Sequence, residues 1–307
     1  TPMSDIVGGR SEHGSQRERL LSREFLILAL STTLYFVGMG ASNPLMPKFV
    51  VDGLGGSEAT AGVVMGSFAV AALATRSPFG RLGDRRGARL LMLIGCALST
   101  VGMLVLTVTE HVPMAIGARL ILGAAQAAVM TGATTRAIDM SPESRRGEAA
   151  SYILVSFHMG LGLGPVMGEL IRDRFSYDAA WFALAGASTA GGMVAATLPR
   201  REGNPDAPPS PWIHPAGIAP GMVAGFAIVA FVAFSTFIPL YADEIGLKQV
   251  GAVFTVSSVA IAVARIAFGK APDVLGPIRA ATLSITLTIV GSVVVSLWAA
   301  PAGVFVA

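Results

Sequence analysis

The sequence has little of what a soluble protein or an enzyme requires. Only 13% of its 307 residues are charged, whereas soluble domains carry about 25%. Cys96 is the single cysteine, so no disulfide can form within the chain. No convergent set of nucleophile, base or metal ligands stands out along the sequence. These absences argue against a soluble fold, a metal site and an enzyme.

Apolar residues make up 53% of the sequence and lie in long uninterrupted runs. A helix needs about 20 apolar residues to cross the hydrocarbon core, and lipid leaves irregular backbone without hydrogen-bond partners. The sequence therefore predicts an all-α membrane protein with about nine spans, and a tenth span is expected to begin at Ala302. The nine predicted spans cover residues 25–47, 59–79, 90–109, 112–135, 149–171, 179–198, 217–240, 249–268 and 280–299.

Basic residues collect on one side of the predicted membrane. Fifteen of the 22 Lys and Arg fall in the N-terminal tail and alternate loops, and four fall on the other side. Positive charge marks cytoplasmic loops, so the N-terminus is predicted to be cytosolic in a multi-pass protein of the cell membrane. The same placement explains the net charge of +3 without nucleic acid as a partner. Trp181 is expected near the outer membrane surface, as part of an aromatic belt.

An internal repeat divides the chain into two similar halves. Residues 76–87 read RSPFGRLGDRRG and residues 265–276 read RIAFGKAPDVLG, each after a span that runs inward. Equal orientation predicts parallel repeats with a substrate site between them. The predicted units are a cytosolic tail (1–24), a six-helix bundle (25–198), a proline-rich cytosolic linker (199–216) and a partial second bundle (217–307). A complete second half is expected to extend about 80 residues further.

Three segments carry a specific family resemblance. GRLGDRRGAR at 80–89 resembles the cytoplasmic loop motif of the major facilitator superfamily, and RLILGAAQA at 119–127 resembles its fourth-span motif. GLGLGPVMGE at 160–169 resembles the fifth-span motif of the drug:proton antiporters, although Glu169 replaces its last glycine. The resemblance implies a major facilitator-type fold of two parallel six-helix repeats.

The loop motif implies a conformational gate. By resemblance, Asp84 would hold the cytoplasmic side shut against a helix of the second half that is expected beyond residue 307. The alternative is that the arginines only set the orientation in the membrane. The residues assigned to this gate are Gly80, Asp84, Arg85, Gly87 and Arg89, with Gly269, Asp273 and Gly276 in the second copy.

Arg119 is the most informative single residue because a charge at the centre of a membrane helix costs about 2.5–3.5 kcal/mol. The resemblance implicates it in proton coupling, and a structural arginine bound to backbone carbonyls is the alternative. No Asp or Glu lies deep in the nine predicted spans. His158 and Glu169 are the other candidates for proton coupling, although a packed core histidine and a Glu169–Arg172 ion pair at the interface remain open.

Gly160, Gly164 and Gly168 follow each other at intervals of four and predict a smooth helix face, which Pro165 would bend. By resemblance this face seals the central cavity, and ordinary helix packing is the alternative. A cytoplasmic charge network around Asp84 is also predicted, with a solvated charge run as its alternative. Its members are Arg136, Asp139, Glu143, Arg145 and Arg146, and Arg136 is expected to pair with Asp139.

The leading functional prediction is a secondary active transporter that works by alternating access and exports small molecules or drugs in exchange for protons. An uptake symporter for a sugar, organic acid or metabolite is the alternative in the same fold, and a non-transporting membrane receptor is the alternative from another class. The expected partners are a small-molecule substrate and the lipid bilayer. The protein is expected to be a monomer without a cofactor or metal, and the proton is the expected coupling ion.

Overall fold

The described part of the protein is built from long α-helices. The computed structural model describes residues 22–201, 203–204, 215–247, 250–268, 277–298 and 304. These residues contain no strand and form nine α-helices. The helices are α1 (Arg23–Lys48), α2 (Glu58–Arg86), α3 (Ala88–Thr107), α4 (Val112–Asp139), α5 (Arg146–Arg174), α6 (Tyr177–Ala196), α7 (Pro215–Glu244), α8 (Val250–Phe268) and α9 (Pro277–Leu297). A π-helical turn, Phe49–Gly53, continues α1.

Serine side chains begin three of these helices. The hydroxyl of Ser22 accepts a hydrogen bond from the backbone of Phe25, and Ser57 and Ser176 do the same at the starts of α2 and α6. The first N–H groups of a helix have no partner inside it, so a serine oxygen at this position stabilises the helix start. Local sequence thus fixes these boundaries.

The first six helices, with the turn that continues α1, are long and apolar enough to cross a membrane. The remaining three contain apolar stretches at Val232–Ala242, Val250–Ile261 and Thr282–Leu297. The number and order of the described helices match the nine predicted spans. The prediction of an all-α membrane protein with about nine spans is confirmed.

The first six helices pack as one bundle. Helix α1 lies against α5 and α6, and α4 lies between α2 and α3. The core between these helices is apolar and contains Tyr35, Phe36 and Trp181. Trp181, near the start of α6, is fully buried and packs edge-on against Phe49, so its ring does not face the lipid as a residue of an aromatic belt would. Contacts of α5 with α8 and of α1 with α7 join this bundle to the second half.

Several predicted boundaries shift in the structure. Helix α2 continues through Arg86, so Gly80 and Asp84 lie on a helix rather than in the predicted loop. The predicted tail and most of the predicted linker fall on residues 1–21 and 205–214, outside the described residues. The second copy of the gate motif, with Gly269, Asp273 and Gly276, also lies outside them.

Candidate functional site

Arg119 is buried in the first bundle, where α1, α2 and α4 meet. Its side chain is 1% exposed. One terminal nitrogen lies 3.4 Å from the hydroxyl of Ser42, and the other lies 3.4 Å from the sulfur of Met65. The guanidinium also lies 4.6 Å from the centre of the Phe68 ring, which is cation–π distance. Within the described residues, no carboxylate balances this charge.

Unpaired donors mark the same buried region. The Nε of Arg119 and the hydroxyl of Tyr35 are buried and have no hydrogen-bond partner among the described residues. A buried polar group without a partner is costly, so such groups in a stable protein usually serve a bound species or an internal water. The described residues therefore leave two buried donors without an acceptor near the centre of the bundle.

His158 lies on α5, one helix away from this region. Its ring is 9% exposed, and Nδ1 lies 2.6 Å from the carbonyl oxygen of Leu154. A carbonyl only accepts, so Nδ1 carries the hydrogen and donates to it. The ring also packs edge-on against Phe157. These contacts keep His158 in the packed interior of the bundle.

The three glycines of the fifth-span motif face α1. A Cβ added at Gly168 would lie 2.8 Å from the Cβ of Ala41, and one at Gly164 would collide with the carbonyl oxygen of Val37. A Cβ added at Gly160 would lie 2.5 Å from the Cβ of Phe36. Pro165 lies between these glycines and is buried. These three glycines therefore make a close helix contact inside the first bundle, and the face they form points to α1 rather than to the second half.

Glu169 makes a contact that joins the two halves. Its carboxylate accepts hydrogen bonds from the backbone N–H groups of Val250, at 3.3 Å, and Gly251, at 2.7 Å, at the start of α8. The predicted Glu169–Arg172 ion pair is wrong, because Arg172 bonds to the neighbouring Asp173. A carboxylate on the unsatisfied N–H groups of a helix start has favourable hydrogen bonds and a favourable dipole interaction.

The gate motif lies at the opposite end of the bundle, where the chain leaving α6 crosses it. Gly87 ends α2 with φ +86°, a conformation that favours glycine, and a Cβ there would collide with the carbonyl oxygen of Arg201. The N–H of Asn204 donates to the carbonyl of Asp84 at 2.8 Å. The side chains of Asp84 and Arg85 are exposed. The motif thus forms a docking surface for the beginning of the linker.

Arginine side chains fix this crossing segment. Arg89 donates to the carbonyl of Ala196 at 2.5 Å, and Arg136 donates to the carbonyl of Pro199 at 3.1 Å. Arg136 is almost fully buried and pairs with Glu24 at 3.6 Å, so its predicted partner Asp139 is wrong. The carbonyl of Asp139 instead accepts from Arg201 at 3.1 Å. We call Glu24, Arg89, Arg136 and Arg201 the arginine cluster.

The rest of the predicted charge network is local. Glu143 pairs with Arg146 at 3.3 Å, and Arg145 pairs with Glu148 at 2.9 Å, each within one helical turn. The hydrogen bond to Glu148 raises the pKa of the exposed Arg145 side chain. The described contacts of these residues do not connect them to Asp84, so the alternative of a solvated charge run describes them better.

Comparison with known proteins identifies the family. The model of the Major Facilitator Superfamily matches residues 28–307, nearly the whole chain. The chain belongs to the major facilitator superfamily. This membership confirms the resemblance drawn from the three motifs, and it indicates a multi-pass membrane transporter rather than an enzyme.

Two curated relatives of this major facilitator protein are drug-resistance proteins. Multidrug resistance protein 2 of Bacillus subtilis is 28% identical over 276 residues, which cover 83% of this chain and 68% of the relative. Quinolone resistance protein NorA of Staphylococcus aureus is 29% identical over 155 residues, which cover 50% of this chain and 39% of the relative. The match to NorA therefore spans well under half of that protein.

Solved transporters share the major facilitator fold with this chain. The nucleoside transporter NupG superimposes with a TM-score of 0.65 at 14% identity, over 82% of this chain and 69% of that structure. A structure of proton-dependent oligopeptide transporters superimposes with a TM-score of 0.55 at 19% identity, over 81% of this chain and 54% of that structure. At these identities the likeness establishes the fold alone.

Sequence reasoning missed the residues that surround the charges. Ser42, Met65 and Phe68 contact Arg119 from α1 and α2, yet none of them stands out in an apolar sequence. Glu24 was assigned to a cytosolic tail, although it pairs with Arg136. The only available signal was its acidic side chain in the first turn of a helix, where acidic residues are favoured.

Proposed function

We propose that the full-length protein is a secondary active transporter that exports small apolar or cationic drugs in exchange for protons. The observation that carries this proposal is the buried, uncompensated charge of Arg119, in a chain whose curated relatives include a multidrug resistance protein. A charge buried in membrane is retained where it serves the transported species or the coupling ion. The arginine-rich loops favour a cytosolic position for the gate motif.

Arg119 would act on protons through its charge. A guanidinium stays protonated at cellular pH, so it cannot carry the transported proton itself. Its positive charge stabilises the deprotonated form of any acid that approaches it. A cationic drug that arrives there would also favour the deprotonated acid and would therefore displace its proton. Competition of this kind, between a proton and a cationic substrate, is what an antiporter requires.

Alternating access would follow from the contacts between the halves. The second half meets α5 and α1 of the first bundle through α8 and α7. Rocking of one half against the other around a site between them would expose that site to each side in turn. The end of α5 that bears Glu169 would then face outward, and the arginine cluster would face the cytosol.

The test is transport by the full-length protein in everted membrane vesicles. Addition of ethidium to energised vesicles should release part of the stored proton gradient, and cells with the gene should accumulate less ethidium than cells without it. Greater accumulation would support an uptake symporter. No change in accumulation or proton flux across a panel of drugs, sugars and organic acids would support the receptor.

The matched variants are Arg119→Ala and Arg146→Ala. Loss of Arg119 should abolish proton release and drug export while the protein still reaches the membrane at its normal level. Arg146 is exposed, with an exposed ion-pair partner, so its loss should change neither. Export that survives Arg119→Ala at the wild-type rate would exclude Arg119 from coupling. Arg119→Lys keeps the charge and should retain part of the activity.

A further inference from the structure

Glu169 joins α5 of the first bundle to α8 of the second at one end of the molecule. The 2.7 Å hydrogen bond from Gly251 and the 3.3 Å bond from Val250 use both carboxylate oxygens. Val250 and Gly251 are the first two described residues of α8, so their N–H groups have no acceptor within the helix. The carboxylate therefore caps a helix that belongs to the other half.

The same two helices stay in close contact further along, and we call this contact the α5–α8 seam. The hydroxyl of Thr255 donates to the carbonyl of Gly162 at 2.6 Å. A Cβ at Gly162 would lie 2.8 Å from the Cβ of Ser258. A Cβ at Gly251 would lie 3.0 Å from the backbone of Val166. Among the residues of these described contacts, Glu169 is the one with an ionisable side chain, so its protonation can change the seam.

We propose that Glu169 is a proton-binding site and that proton uptake there releases α8 from α5. The carboxylate presents two acceptor oxygens and a negative charge to the positive end of α8. The protonated acid has no charge, and its hydroxyl oxygen donates rather than accepts, so two N–H groups compete for one good acceptor. The contact of Glu169 with α8 is thus strong while the carboxylate is ionised and is lost when falling pH protonates it.

Glu169 is partly exposed, which allows a proton to reach its carboxylate. A small cavity borders the carboxylate and is lined by Pro44, Leu45, Lys48, Glu169, Arg172, Pro239 and Val250. The charged groups facing Glu169 are Lys48 from α1 and Arg172 from its own helix, while α7 presents Pro239 and α8 presents backbone N–H groups and Val250. Both charged neighbours are cations.

This inference rests on the proposed function, in which the end of α5 that bears Glu169 faces outward. External protons would then open the side from which a drug leaves, as an exchange of drug for protons requires. The family motif ends in glycine at this position. The contact of Glu169 with α8 is therefore a feature of this chain rather than of the motif.

The experiment measures the distance between the halves in the full-length protein. Spin labels are attached at Phe175→Cys and Glu244→Cys, two exposed positions at the ends of α5 and α7, in a background with Cys96 and other native cysteines replaced by Ala. Double electron–electron resonance is recorded in detergent at pH 8 and at about pH 3.5, which lies below the ordinary titration range of a glutamate. The short-distance population should dominate at pH 8 and be largely lost at the lower pH.

Two variants at carboxylates of α5 provide the contrast. Glu169→Gln should lose the short-distance population at both pH values, and Glu148→Gln, at an exposed carboxylate near the start of the same helix, should behave like wild type. Persistence of a closed, pH-responsive seam in Glu169→Gln would overturn the proposal. A wild-type distance that does not respond to pH would do the same.

A third variant guards against loss of folding in Glu169→Gln. Thr255→Val removes a seam hydrogen bond without touching the charge, so it should reduce the short-distance population at pH 8 while the response to pH remains. A Thr255→Val seam that stays intact at about pH 3.5 would contradict the proposal. The distance measurement needs no substrate, so a pH-responsive seam in a protein that exports no drug would refute the proposed function alone.

Discussion

The carboxylate of Glu24, in the first turn of α1, lies 3.6 Å from the buried guanidinium of Arg136, near the end of α4. Arg136 also donates to the carbonyl of Pro199, which directly follows α6. Arg201 reaches the same carboxylate at 4.0 Å. One carboxylate thus ties the beginning of the first bundle to the segment that leaves it.

Glu24→Gln should lower the stability of the protein. Arg136 is 2% exposed and would keep a buried charge without its anionic partner, so the substitution costs more than a surface pair does. We expect the melting temperature in detergent to fall by about 2–4 °C, which corresponds to about 1 kcal/mol. Glu143→Gln removes a carboxylate that is 86% exposed and is the matched control. Equal effects of the two substitutions would contradict the buried pairing of Arg136.

Gly164→Ala should disrupt the packing of α5 on α1. The added methyl group would collide with the backbone carbonyl of Val37, which cannot move without a shift of the helix. Overpacking of this kind costs about 1–3 kcal/mol. Gly186 on α6 has nothing within 4 Å of the added atom, so Gly186→Ala should leave the melting temperature unchanged or slightly higher. A Gly164→Ala protein as stable as Gly186→Ala would refute the close contact.

Substitution by alanine should have opposite effects on stability at two glycines of the gate motif, Gly87 and Gly80. Gly87 has φ +86° and lies against the carbonyl of Arg201, so Gly87→Ala should cost about 1–2 kcal/mol. Gly80 lies inside α2 with open space around it, and Ala there should be neutral or stabilising by up to about 1 kcal/mol. Thermal unfolding of the two variants checks this. A destabilising Gly80→Ala would contradict the open space around this position.

The orientation in the membrane can be tested with single cysteines. Cys96 is 2% exposed and should react slowly with a maleimide. Its replacement by Ala removes the remaining background labelling. Arg85→Cys lies at the predicted cytosolic end, and Ser57→Cys lies at the start of α2, on the predicted outer side. An impermeant maleimide added to intact cells should label the cysteine at 57 and spare the one at 85. The reverse pattern would invert the predicted topology.

The sequence by itself determined the elements and the family. Long apolar runs leave no structure but the helix in lipid, so the number and order of the helices follow from composition. The three motifs depend on spacing along one helix or turn, and they led to the family that comparison confirms. The position of Arg119 within a membrane helix was also readable, because a charge in an apolar run is conspicuous.

Only the tertiary structure decided which residues meet. Local spacing predicted partners within one turn for Glu169 and Arg136, yet their contacts come from α8 and from Glu24, far along the chain. Trp181 is buried because α1 covers it, which hydropathy cannot reveal. A sequence pattern gives the face of a helix but not the helix that packs on it. For this reason the glycines of α5, the surroundings of Arg119 and the α5–α8 seam became visible only in three dimensions.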